Sequence, residues 1–317
     1  MLKFFLWLLW DFSGLRFVWE KIRPPIDQTT KKRPPATFVI WAFGAFFIYI
    51  ALFGLASHRY ENRIGIIENR TNALITLLST PAFKKAIERI PAIQKMKVPV
   101  KPEILKPSSV ILSVFSSNIE YSEMVDLLKQ MIRDWKDSLQ GVSLVGADLS
   151  NLDLSGAKLQ NADLSGAMLL YTNLEKAWLS HAVLNHANLF HAILEQAALF
   201  HAKLNNSNLE QSLLKNAEML NVMLKGANLK WADLKDANLY KADFAGANLE
   251  SANLEGASLK DANFVNSNLD GIRGLNVDQL CKAKSLYGAK LLDPELEKQA
   301  KEKCPHLLEK PENDDSS

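Results

Sequence analysis

The chain has 317 residues, 48% hydrophobic and 23% charged, with 37 basic and 35 acidic side chains giving a formal charge of +2. That length accommodates two ordinary domains, and the near-neutral balance removes any general electrostatic reason to look for nucleic acid. Two cysteines, Cys281 and Cys304, fit neither a zinc-ligand spacing nor a disulfide-dense framework.

At the N-terminus, Phe4, Leu8, Phe12, Leu15, Trp19 and Ile22 recur at intervals of three and four, one face of a helix. Asp11, Arg16, Glu20 and Lys21 break the run too early for a membrane span. Residues 1–36 are therefore read as an interfacial helix and a basic cytoplasmic segment. Thr37 to Ala56 follows, twenty residues without a charge. At about 1.5 Å rise per residue such a helix crosses a ~30 Å hydrocarbon core, so 37–56 is expected to be a transmembrane helix through which the chain meets the membrane. A cleaved leader would need a shorter apolar core nearer the start. Lys21, Arg23, Lys31, Lys32 and Arg33 before the run outnumber Arg59, Arg63 and Arg70 after it, which puts the N-terminus in the cytoplasm.

Residues 57–90 read as a membrane-proximal helical segment. Tyr60, Ile64, Ile67, Thr71, Leu74 and Leu78 make an a/d seam, open to two readings: self-association, or packing on the chain itself. Pro91, Pro99, Pro102 and Pro107 make 91–120 an expected extended connector. Residues 121–141 follow as an amphipathic helix with a stripe of Met124, Leu128, Met131 and Trp135, expected to cap what comes next.

From Val142 to Gly271 the sequence repeats every five residues without a slip through 26 pentads: GADLS, GAKLQ, NADLS, GANLK, DANLY. The central position is Leu in 23 of 26, with Met219, Phe244 and Phe264 the exceptions, and Ala stands two residues earlier in 19. Residues two apart on a strand share a face, so Ala and Leu point inward together. An odd repeat would flip the next pair outward, so each pentad must contain a bend. Gly stands two residues after the centre in seven pentads, and Asn or Asp in many others, as a positive-φ corner prefers.

This run resembles the pentapeptide-repeat proteins, whose pattern is A(D/N)LXX. The resemblance implies a mainly β fold, a right-handed quadrilateral β-solenoid over 142–271 with four pentads per coil, preceded by the transmembrane and amphipathic helices. Carried over, the 26 pentads make six and a half coils about 31 Å long. The layout of anchor, connector and C-terminal segment, with the phrases YENRIGIIENR and WKDSL, is also similar to a membrane-anchored bacterial subset of that family. With the orientation given by the flanking charges, the expectation is a single-pass protein of the bacterial inner membrane with a cytoplasmic N-terminus and an extracytoplasmic solenoid.

With four pentads per coil, Phe200, Leu220 and Tyr240 fall in one outward column beside Trp178. Such a column invites a protein partner or self-association, and equally serves as a stabilising surface ladder. His181, His186, His191 and His201 sit at outward positions with Glu195 as sole carboxylate company, a poor metal set. No nucleophile set, Walker loop or paired-acid motif is visible. The expectation is a non-catalytic scaffold without cofactor, metal, nucleic acid or small-molecule substrate. The alternative, implied by soluble family members, is a DNA-mimic inhibitor or protector of a topoisomerase. It requires a cytoplasmic solenoid, and the 14 acidic residues against nine Lys make a net of −5, mild for a mimic.

Beyond the repeats, Leu275, Asn276, Gln279 and Leu280 match a capped helix start, and Asp293-Pro294 starts another. Residues 272–308 are expected to be a helical cap over the last coil, and 309–317 a disordered acidic tail. Cys281 and Cys304 fall on the two cap helices; a bridge and a pair of buried inert thiols both remain open.

Overall fold

A computed structural model describes residues 35–78, 83–115, 119–120, 122–291 and 293–310. The interfacial helix expected in 1–36 and most of the acidic tail lie outside the described residues. Two compact units emerge among the described residues: 35–63 with 99–115, and 64–98 with 119–310.

In the second unit, parallel bridges join residues twenty apart from Ser143–Asp163 through Asn253–Arg273, so each coil holds four pentads. Numbered from Val142, coil 1 is 142–161, coil 2 is 162–181, and so on. All 26 corner residues have positive φ, between 53° and 69°. This left-handed bend turns the chain after each central residue, so that every Leu returns to the interior. The central side chains and those two residues before them are buried, Leu152 only partly, and the Phe244 and Phe264 rings stack at 5.1 Å with 1° between planes. One column of the outer wall is an asparagine ladder: Asn208, Asn228, Asn248 and Asn268 each donate Nδ2 to the Oδ1 of the Asn twenty residues before, ending on Asn188, at 3.0–3.4 Å.

The N-terminal end of the solenoid is closed by several short pieces. Helix α1, Pro35–Leu78, runs on from the uncharged stretch, and its Ile67, Thr71 and Leu74 are buried, with the Thr71 hydroxyl against Met124 Sδ. The a/d seam is thus used within the chain. Helices α2, Phe83–Ile87, and α3, Ile90–Gln94, add Ala86, Ile87, Ile90 and Ile93 to the same core. Strands β1, Lys97–Val98, and β2, Ile119–Glu120, pair antiparallel; helix α4, Pro107–Phe115, comes between them in the sequence and belongs to the first unit. Helix α5, Ser122–Asp134, buries Met124, Leu128 and Ile132, while Met131 and Trp135 are partly covered.

The extended connector expected over 91–120 is therefore corrected. Pro91 sits in the first turn of α3, where a missing N–H costs nothing, and starts a helix instead of ending one. The Gln94 side chain then completes the open edge of coil 1: its Nε2 donates to Asp148 O at 2.8 Å, and its Oε1 accepts from Asp148 N at 2.9 Å. A primary amide stands in for the backbone of a missing coil. Lys129 adds an ion pair to the Asp148 carboxylate at 2.8 Å and donates to Ser150 O. Burial pushes the Asp148 carboxyl up, but Lys129 and the Ser150 amide outweigh it and hold the group below its ordinary value.

The expected end of the solenoid at Gly271 is corrected as well. After helix α6, Val277–Leu280, whose Asn276 and Gln279 form the expected capping box, the ladder resumes as Asn263–Ser285 and Asn268–Lys290. The offset is now 22 residues, so an inserted turn hides the repeat Leu286-Tyr287-Gly288-Ala289 from a five-residue count. Helix α7, Pro294–Lys303, starts on the Asp293 carboxylate and buries Leu296 and Ala300.

In the first unit, the twenty uncharged residues lie on α1, but described side chains begin at Phe43. Among the described residues no helix is long and apolar enough to cross a membrane, so the expected span at Thr37–Ala56 is not found there. The fourteen residues Phe43–Ala56 measure only about 21 Å as helix.

Candidate functional site

The solenoid interior is filled, so chemistry is left to its outer positions: the wall residue before each central Leu, and the two corner residues after it. Along most of the chain these are Asp, Asn, Lys and Glu, and from coil 4 onward they pair lengthwise, as in Lys230–Glu250 at 2.7 Å and Lys235–Glu255 at 2.8 Å. Coils 2 and 3 differ. Between Gly166 and Ala202 the formally charged residues are Glu175, Lys176 and Glu195 alone, and the first two pair with each other. Charge depletion with aromatic enrichment is the composition of an interface core.

The corners of this belt also defy their own geometry. Seven in a row, Tyr171, Lys176, His181, His186, His191, Gln196 and His201, are neither Gly, Asn nor Asp, yet hold φ between 54° and 59°. Each such side chain costs roughly 1 kcal/mol against a residue suited to that region. The backbone would be better served by the Gly and Asn used in coil 1.

Two clusters result. Tyr171 stacks on His191 at 5.1 Å, and Phe190 meets both edge-on at 5.9 and 4.4 Å. Met168 on the preceding wall and Ile193 on the following one extend this corner, with Tyr171 53% and Met168 45% exposed. Elsewhere Trp178 stands 53% exposed on a wall between Lys158 and Ala198. Phe200, Leu220 and Tyr240 do rise in one column, as the backbone bonds from His181 N to Phe200 O, His201 N to Leu220 O and Asn221 N to Tyr240 O require. All three are half-buried, and Tyr240 is flanked by the ammonium groups of Lys241 and Lys260 at 5.1 and 5.8 Å from its ring. Trp178 occupies the wall and the column occupies the corner. Tyr171 and Met168 are absent from the sequence-based site; a bulky residue where the corner wants Gly or Asn is the signal that finds Tyr171.

The His181 and His201 rings stack parallel at 5.0 Å with 0° between planes, so their nitrogen lone pairs run side by side and do not converge on one ion. Among the described residues no group of three or more His, Cys, Asp or Glu could hold a metal. At the far end, Cys281 at the end of α6 and Cys304 at the end of α7 are joined in a disulfide with Cα atoms 5.6 Å apart. An ion pair between Lys303 and Asp278 lies beside it.

Family models for pentapeptide repeats match residues 138–169 (pentapeptide repeats, 8 copies) and 187–273 (pentapeptide repeat region). The solenoid belongs to the pentapeptide-repeat family. Among solved structures, this pentapeptide-repeat chain is similar to HetL, a protein involved in heterocyst differentiation regulation from the cyanobacterium Nostoc sp. strain PCC 7120. Identity there is 28%, covering 48% of this chain and 85% of HetL, with a TM-score of 0.29. It is also similar to Rfr23 from the cyanobacterium Cyanothece 51142, at 27% identity over 46% of this chain and 93% of Rfr23, TM-score 0.18. QnrB1, a plasmid-mediated fluoroquinolone resistance protein, aligns at 16% identity over 53% of this chain and 90% of its own, TM-score 0.30. No curated protein matches the chain.

Proposed function

We propose that this pentapeptide-repeat protein is a membrane-anchored, non-catalytic scaffold that offers coils 2 and 3 to a protein partner. The observation that carries the reading is the belt between Gly166 and Ala202, where charge is nearly removed, Met168, Tyr171 and Trp178 stand exposed, and seven consecutive corners carry residues unsuited to positive φ. Exposed aromatics in a charge-poor zone are the usual anchors of protein interfaces. Anchorage is supported by the uncharged run Thr37–Ala56 on a helix continuous from Pro35 to Leu78. The Cys281–Cys304 disulfide supports an extracytoplasmic solenoid, since such bonds persist where thiols are not kept reduced.

Photo-crosslinking residues placed at Tyr171 and Trp178 in the full chain, in native membranes, test the scaffold. Discrete adducts with one protein are expected at both, and none with the same group at Asp236, a corner of coil 5. Equal labelling at all three positions removes the belt. Topology reporters fused at Ser317 test placement: a cytoplasmic signal overturns the extracytoplasmic solenoid and returns the topoisomerase-directed alternative to the front.

A further inference from the structure

The first compact unit contains a feature that neither the solenoid nor the anchor explains. Between Pro99 and Phe115 the chain makes a turn whose tip is tied on itself: Lys106 N donates to Glu103 O at 2.9 Å, the two side chains pair at 2.6 Å, and Ser109 Oγ accepts from Glu103 N and donates to Lys106 O. This rigid tip holds Ile104 and Leu105 outward, 47% and 90% exposed, between Lys101 and Lys106.

The tip is fixed to α1. Tyr49 donates its hydroxyl to Ile104 O at 2.6 Å, and α4 then runs alongside α1, with Ser113 Oγ on Ala56 O and Arg59 on Val114 O. Ten residues of helix separate Tyr49 from Arg59, about 15 Å, so the tip reaches well along the uncharged run. On that run Phe43, Phe46, Phe47, Ile48, Leu52 and Leu55 are all exposed. At about 100° per residue they spread over roughly two-thirds of the helix circumference. A second copy or a protein partner would cover a stripe of roughly half that width. Lipid surrounds a helix on all free sides.

We propose that the 103–106 tip is a lipid-inserting wedge. Ile104 and Leu105 enter the acyl region beside Tyr49, seven residues or about 10 Å inside the Ala56 end of the uncharged run, while Lys101 and Lys106 snorkel back toward anionic headgroup phosphates. Glu103 is kept from those phosphates by its pairing with Lys106. The wedge holds the emerging helix at one depth and one rotation, because its attachment at Tyr49, Ala56 and Arg59 engages a single face of α1. This inference rests on the proposed anchorage.

The full chain is reconstituted in nanodiscs of phosphatidylcholine and phosphatidylglycerol, with the Cys281–Cys304 disulfide left oxidised. A bimane fluorophore is carried on L105C or, separately, on F47C, both exposed positions. Quenching by lipids spin-labelled on the acyl chain is expected for both L105C and F47C. Removing phosphatidylglycerol, or introducing K101E with K106E, is expected to reduce L105C quenching at least twofold and leave F47C unchanged. F47C quenched without L105C overturns the wedge and keeps the anchor. Neither quenched overturns the anchor and the wedge with it. Quenching of L105C by a spin label on L105C of a second chain, in unlabelled lipid, overturns lipid as the occupant.

Discussion

Replacing Gln94 with Leu probes how the first coil is closed. Leu is close to Gln in size and keeps α3 helical, so the main loss is two hydrogen bonds, those to Asp148 O and from Asp148 N. Gln94 is 5% exposed, so water has little room to replace it. An unmet buried donor or acceptor costs about 1–3 kcal/mol; water reaching the half-buried Asp148 from its open side puts the pair near the low end, about 2 kcal/mol. The cost falls on docking of α2, α3 and α5 and hardly on the distant coils, because each coil touches only its neighbours. The open population of the cap should rise roughly thirtyfold, at 1.4 kcal/mol per tenfold. Hydrogen exchange on the full-length protein in detergent reads this directly. Amides from Leu144 to Ser150 and those of α3 are expected to lose protection by about that factor, while coils 4 to 6 keep theirs. Unchanged exchange at Asp148, or a uniform loss along the solenoid, would refute the edge-closing role of Gln94.

Other outcomes follow from the same geometry. Asp148 has a folded pKa below its unfolded value, so its contribution to docking is full at neutral pH and is lost as pH falls through the lowered value; exchange in coil 1 should rise below about pH 4, and K129M should abolish most of that acid dependence. Reducing the disulfide, or C304S, removes a link with sequence separation 23 and should cost about 3 kcal/mol of cap stability, seen as faster exchange at Lys290 and Leu269 while coil 1 stays unchanged. G274A should destabilise the last coil by about 2 kcal/mol or more, because φ is +69° and a Cβ would lie 2.7 Å from Glu255 Cα; a neutral denaturation midpoint contradicts this. K176N, at a positive-φ corner where Lys makes only an exposed pair with Glu175, should stabilise by about 0.5 kcal/mol in chemical denaturation.

The pentad register was readable to the residue, because a filled solenoid makes every fifth position answer to the same neighbours. The alternation of Ala and Leu, the corner Gly and Asn, and the twenty-residue stacking all follow from that constraint. Three features were not readable. Ile90, Ile93 and Gln94 are too few to show a period, and their partner is the end of a solenoid that begins some fifty residues later. The resumed ladder at Ser285 was masked by the two-residue insertion around α6. In the belt, Tyr171 and Met168 look like ordinary variation in a repeat, and gain meaning only once each corner is known to hold positive φ and each coil is stacked on the next.

The asparagine ladder has a direction. Each carboxamide donates toward the N-terminal end, so five amide dipoles align head to tail from Asn268 to Asn188, and a flip of Asn208, Asn228 or Asn248 would break two ladder bonds. At Asn188 the line stops because the next position is Met168. Asn188 Oδ1 is taken by Asn208 and by the Phe190 amide, while its Nδ2 meets no protein acceptor among the described residues. The wire thus delivers its polarised, hydrogen-bearing terminus beside Met168, Phe190 and Tyr171. A molecule seated on that apolar corner would gain most by bringing a carbonyl or carboxylate oxygen to one address.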